Sequence, residues 1–176
     1  MTLGSRWRAL ACTLLVTGCA TMPEPAADAP RLSGRLSVRV DSEPVRAVTA
    51  SFELQGDARL GVLRLSSPLG DTLAEARWSP VATELRAPTG RAQFADLDDM
   101  AAKTLGERLP MSALFDWLRG RPWPDAPFVP LAAPAVGFEQ LGWQVHLERL
   151  AEHFVEARRA TPPVVTVRAR IEAPSP

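Results

Sequence analysis

The 176-residue chain has almost none of the residues from which metal and disulfide sites are built: two cysteines and two histidines. That leaves nothing for a zinc cluster or a disulfide framework. Lys103 is its only lysine, which we read as genome composition. It has no excess charge of either sign. Lys plus Arg and Asp plus Glu are 20 each, so the basic surplus that a nucleic-acid binder needs to neutralise phosphates is missing. There is no G-x-S-x-G elbow, glycine-rich phosphate loop or H-E-x-x-H pair. Prolines, by contrast, number 17, too many for an all-helical bundle, and 46% hydrophobic residues are enough for one folded domain.

The amino terminus reads as a leader. Arg6 and Arg8 precede an apolar stretch from Ala9 to Val16, too short for a bilayer-spanning helix of about 20 residues but fitting a secretory signal peptide over residues 1–18. It runs into Val16-Thr17-Gly18-Cys19. An aliphatic residue, two small ones and a cysteine resemble the lipobox of bacterial lipoproteins. That resemblance implies cleavage before Cys19, a diacylglycerol on its sulfur and an acyl chain on its new amino group. Cys12 leaves with the leader, so the mature chain keeps one cysteine and has no internal disulfide. Losing Arg6 and Arg8 leaves 18 basic residues against 20 acidic ones, a net charge of about −2. Residues 19–30 are rich in Ala and Pro and read as the acylated terminus and a flexible tether. Ala20, where enterobacterial sorting uses Asp to retain lipoproteins in the inner membrane, points to the outer membrane.

Beyond residue 30 the pattern is of period two. Leu32, Gly34, Leu36, Val38 and Val40 alternate with Ser33, Arg35, Ser37 and Arg39; Val48, Ala50, Phe52 and Leu54 alternate with Thr49, Ser51, Glu53 and Gln55. These are half-buried strands. Further strands are expected over 58–66, with Gly61 as a bulge, and over 72–78, 82–87 and 91–95. The period then changes. Asp96 is an N-cap candidate, Leu97, Met100, Ala101, Thr104 and Leu105 share a helical face, and Gly106 ends it. Pro110 opens a second helix with the stripe Met111, Leu114, Phe115 and Leu118. A proline-rich link leads to hairpin strands over 136–140 and 143–149, then 154–159 and 164–172. This pattern predicts a mainly β fold of about ten antiparallel strands with two short helices inserted together, a curved sheet or an open barrel under a helical lid.

Candidate chemistry is sparse. His146 shares a solvated strand face with Gln144 and Glu148, and His153 lies in a polar stretch; neither has a partner that would make it a base. Asp96, Asp98 and Asp99 form an acidic run that suits a helix N-terminus better than a metal. We expect no catalytic residue, no metal and no enzyme.

The motifs LSGRLSVRV, LRLSSPLGDTLAEARW, LGERLPMSALFDWLRGRPWP, GFEQLGWQV and VTVRARIE occur in this order over residues 31–172. With the lipobox, they make the chain similar to the LolB family of outer-membrane lipoprotein receptors. Departures are modest: the stretch before the first strand is short, and the tryptophan expected near the last strand is missing. The resemblance implies an incompletely closed antiparallel β-barrel of roughly ten to eleven strands with a small α-helical lid over an apolar cavity, and a lipid-anchored receptor on the periplasmic side of the outer membrane. It would be a monomer that takes triacylated lipoproteins from the soluble carrier LolA and inserts them into outer-membrane phospholipid. It implies a membrane-insertion loop at Pro68, Leu69 and Gly70, with an exposed leucine matched by Leu69. No cofactor is implied beyond the covalent lipid on Cys19. Cavity candidates are Leu36, Val38, Phe52, Leu54, Leu63, Leu65 and Trp78 on the sheet, with Met100, Leu105, Leu114, Phe115 and Trp117 in the lid. The alternative is a lipoprotein that binds another lipid or supports envelope assembly.

Overall fold

The computed structural model of the chain describes residues 22–173. The leader, Cys19, Ala20 and the last three residues lie outside them.

Eleven strands form one antiparallel sheet. The chain first builds it outward from the middle: after β1 (Arg31–Val40), the strands β2 (Arg46–Gly56), β3 (Gly61–Ser66), β4 (Thr72–Ser79), β5 (Ala82–Ala87) and β6 (Gly90–Phe94) each pair with the strand before. Helices α1 (Leu97–Leu105) and α2 (Met111–Trp117) then cross to the far edge. There β7 (Phe128–Pro130), β8 (Gly137–Gln140), β9 (Trp143–His146), β10 (Phe154–Arg159) and β11 (Val165–Ile171) work back until β11 pairs with β1. Among the described residues, strands β6 and β7 remain unpaired edges, so the barrel is open as expected.

The alternation of the first two strands fixes which face is inward. Val38, Val40, Ala50, Phe52 and Leu54 are buried, whereas Arg31, Arg35 and Arg39 are exposed. The helices begin and end where their caps dictate. The Asp96 carboxylate accepts from the Asp99 N–H at 2.7 Å, and Gly106 closes α1 with φ 82. Asp99 also holds Lys103 at 2.9 Å, and Asp98 accepts from the Met111 N–H at 3.0 Å, so the acidic run fastens the two helices together. Burial holds the Asp98 carboxyl above its ordinary range. Among the described residues no cluster of His, Cys, Asp or Glu is placed to hold a metal ion.

Three local expectations are corrected. Gly61 is not a bulge: a Cβ there would lie 2.2 Å from the Trp78 ring, so glycine is needed for the close approach of that ring. The bulge is at Leu73 instead, because Leu65 pairs with Ala74 but Ser66 with Thr72, leaving Leu73 without a partner. And β7 arises within the proline-rich link, too short to show a period; its one proline, Pro130, suits an edge strand.

The core forms two clusters. One gathers α2 residues Ala113, Leu114 and Trp117 against Val145, Val155 and Val165 of the later strands. The other gathers Phe115 and the α1 residues Leu97 and Met100 against Phe52, Leu54, Ala76 and Trp78 of the earlier ones. Among the described residues, all strands, helices and both clusters lie between residues 31 and 171, so a chain without its first 19 residues keeps this whole core and is expected to fold on its own.

Gln140 organises the first cluster. Its side chain, 2% exposed, accepts from Trp117 Nε1 at 2.7 Å and the Trp123 N–H at 2.9 Å, and donates to the carbonyls of Trp123 at 2.8 Å and Ala126 at 2.7 Å. Gln140→Leu leaves those four groups unpaired at a cost of about 1–3 kcal/mol for each one buried. The expected loss is about 3 kcal/mol or more, read in urea denaturation as a lower midpoint with an unchanged slope.

Candidate functional site

The two clusters do not meet completely. Between them, under the helices, lies an apolar cavity of about 300 Å³. Its floor is the concave face of the sheet, with Leu36 and Val38 from β1, Phe52 and Leu54 from β2, and Leu63 and Leu65 from β3. Its roof is Met100 and Leu105 from α1 with Leu114 and Phe115 from α2.

Ten of the twelve cavity candidates therefore line it; Trp78 and Trp117 do not. Trp78 lies flat on Phe115, with ring centroids 5.2 Å apart, and donates its Nε1 proton to the Asp57 carbonyl at 2.8 Å. Trp117 is fully buried and held by Gln140. Both indole N–H groups need a partner once buried, and meeting that need draws the rings into the solid core. Conversely, sequence reasoning missed several walls. Leu109, Met111 and Leu118 come from the helical layer, two of them from the stripe already visible in α2. Val48, Ala74, Ala76, Leu85 and Val167 come from the sheet and follow its alternation. Leu73 had no sequence signal, since only the bulge turns it inward.

The lining is almost entirely hydrocarbon. Thr104 carries its one hydroxyl, already donated to the Met100 carbonyl at 2.7 Å. No side chain in the wall titrates, and no polar group there is free to hold a water, the condition under which cavities stay dry. His146 lies on the outer face, 3.4 Å from Glu148, and His153 in the turn before β10; neither reaches the cavity. The arrangement suits apolar chains and gives proton transfer no participants.

The cavity reaches one end of the barrel. Leu73 both lines it and is 41% exposed, so it forms part of the rim. At that same end the loop between β3 and β4 carries Leu69, 91% exposed. Its shape follows from Ser67-Pro68-Leu69-Gly70. The Gly70 N–H returns to the Ser67 carbonyl at 2.9 Å, and the Ser67 hydroxyl accepts from the N–H groups of Leu69 and Asp71, each at 3.2 Å. Pro68 fits the second position of such a turn, and Gly70 takes φ 92 in open space, so its conformation rather than its size is what the loop uses. A large apolar side chain is thus held in water by a local hydrogen-bonded frame.

Ala74→Phe, which adds a ring to a half-buried position on the wall, is expected to weaken binding of a fluorescent fatty-acyl probe about tenfold, as titration of the purified domain would show. A change in melting temperature without a change in probe affinity would place the probe elsewhere.

The family described as "Outer membrane lipoprotein LolB" matches residues 29–171, the whole sheet with both helices. The protein named outer-membrane lipoprotein LolB of Bordetella petrii is 36% identical over 154 residues, 81% of this chain and 77% of that one. The protein of the same name from Chromobacterium violaceum is 35% identical, covering 81% of this chain and 82% of its own length. That from Ralstonia nicotianae is 34% identical, over 82% and 76%.

Proposed function

This chain belongs to the LolB family of outer-membrane lipoproteins, and on that basis we propose that it is an outer-membrane lipoprotein receptor, anchored by lipid at Cys19, that takes lipoproteins from a LolA-like carrier and passes their acyl chains to the bilayer. The observation that carries the reading is the juxtaposition of a hydrocarbon-walled cavity with an exposed leucine at its open end.

The physics of transfer suits such a site. Each CH₂ removed from water contributes about 0.8 kcal/mol, so acyl chains must pass between apolar environments without being exposed. The chain has no phosphate loop with which to spend nucleotide energy. Transfer therefore runs downhill, with the carrier holding the chains least well and the bilayer best. At about 300 Å³ the cavity is at the small end of ligand sites, which span roughly 300–1,000 Å³. Three acyl chains need more room, and the short helices are the part of the wall that yields, because they form a separate layer over the sheet. We read the protein as a binding and transfer protein rather than an enzyme.

Leu69 acts in delivery. Burying one leucine contributes about 1.5–3 kcal/mol, too little to anchor a protein but enough to orient the open end of the cavity against a membrane. Leu69→Glu places a charge where lipid would have to accept it. The variant is expected to accept lipoprotein from its carrier normally and to deliver it to membranes at least tenfold more slowly. The assay incubates the domain with carrier-bound lipoprotein, then adds vesicles. Normal delivery removes the role given to the loop, and failure to accept cargo moves Leu69 to the docking face. For the anchor, Cys19→Ala should carry no palmitate label and leave the outer-membrane fraction, while the purified variant still accepts cargo because the cavity lies in the folded domain.

A further inference from the structure

The outer face of the sheet, remote from the cavity, has an uneven charge distribution. On β3 to β6 its ions are neutralised locally: Arg64 and Arg77 meet Glu75 at 2.9 and 2.7 Å, and Arg86 and Arg91 both meet Glu84. On β10, β11 and β1 they are not. Arg168 has Glu156 and Arg39 has Asp41, but among the described residues Arg35, Arg158 and Arg170 form no ion pair. Arg35 and Arg170 moreover face each other directly across the β1–β11 ladder. Like charges in that position destabilise a sheet. Ser51, the neighbour of Arg35 on β2, supplies no compensating carboxylate. In a mature chain of net acidic charge, six outward arginines on three adjacent strands (Arg31, Arg35, Arg39, Arg158, Arg168 and Arg170), against Glu156 on the strands and Asp41 and Glu172 at their ends, form a localised cationic surface.

A second observation concerns the segment before β1. Residues 22–30, expected to be a free tether, lie across this same face. Glu24 binds Arg77 on β4 at 2.6 Å, the Ala26 carbonyl accepts from Gln55 on β2 at 3.0 Å, and the Ala27 carbonyl accepts from Arg31 on β1 at 3.3 Å. Val62, whose register neighbours Gln55 and Arg77 point outward, is only 6% exposed, as a residue beneath this strap should be. Cys19 precedes Glu24 by five residues, about 18 Å of extended chain at most. A lipid there lies within that reach of the outer face.

We propose that the face formed by β10, β11 and β1 rests on an anionic phospholipid bilayer, with Arg35, Arg158 and Arg170 as its headgroup contacts. The strap brings the acyl anchor to the same side, so the two act together: acyl chains hold the protein to the membrane, and the arginines set which side lies against it. This holds the protein at the membrane with its helices clear of the contact, and turning the Leu69 end onto the bilayer for delivery is a separate step. The orientation rests on the proposed lipid at Cys19; the affinity of the arginine face for anionic lipid does not.

The test uses the chain beginning at Ala20, without acyl chains, in sedimentation with phosphatidylcholine vesicles with and without phosphatidylglycerol. Binding is expected only to the anionic vesicles, and raising the salt abolishes it. Each arginine near such a surface is worth about 1 kcal/mol and 1.4 kcal/mol is tenfold, so Arg35→Gln/Arg170→Gln is expected to weaken binding roughly 25-fold. The same pair of changes relieves a like-charge contact, so thermal stability should hold or rise, which excludes misfolding as the cause. Lys103→Gln/Arg108→Gln, on the helical side, removes the same charge and is expected to change binding less than threefold. Equal binding to neutral vesicles, or equal weakening by the two double variants, overturns the proposal. A wild-type chain that binds no vesicle also overturns it while leaving cavity and cargo transfer untouched.

Discussion

A sheet with one apolar face must cover that face, and here the sheet is larger than its cover. Eleven strands at about 4.8 Å spacing make an arc roughly 50 Å long, whereas helices of nine and seven residues span only about 13 and 10 Å. Curling the sheet brings much of the concave face onto itself, and the helices fill most of the remainder. What they cannot fill is the seam between the two clusters, and that seam is the cavity. The site follows from a mismatch of areas rather than from any special residue.

The same constraint accounts for how the helical layer is held. Two short helices contribute little stability of their own, so they depend on fixed polar contacts. Asp96 and Gly106 set the ends of α1, Asp98 ties α1 to the start of α2, and Trp117 is pinned from the far edge of the sheet through Gln140. These contacts lie around the cavity and not in it, so its walls stay apolar while the roof remains a thin, separable layer. That combination suits a site that must take in and give up hydrocarbon.

Inside and outside faces divide the work. The concave face is apolar where it walls the cavity, with its polar side chains such as Gln140 set to the side. The two ends and the outer face carry different groups: a leucine held in water at one end, a strap at the other, and arginines between. The transfer proposed for this protein needs such a division, because binding chains tightly and releasing them to one place are opposing requirements unless different surfaces meet them.

Much of this was legible in the chain itself. Period-two alternation from Leu32 to Leu54 marked the inward face; Asp96, Gly106 and Pro110 marked the helices; and Ser67-Pro68-Leu69-Gly70 marked a tight loop. All are local effects of pleat, cap and turn, which neighbours in sequence suffice to specify. Tertiary structure alone decided the rest. Whether an inward residue meets a partner or a void depends on strands far apart in sequence, so Leu36 lines the cavity while Trp78 and Trp117 are drawn into solid core by the partners their indoles found in Asp57 and Gln140. Leu73 turns inward only because β3 and β4 pair out of step. β7 exists only because β8 offers it an edge. The strap lies flat because Gln55 and Arg77, from separate strands, stand in one row beneath it, and the pairing of Arg35 with Arg170 needs a register that joins residues 135 positions apart.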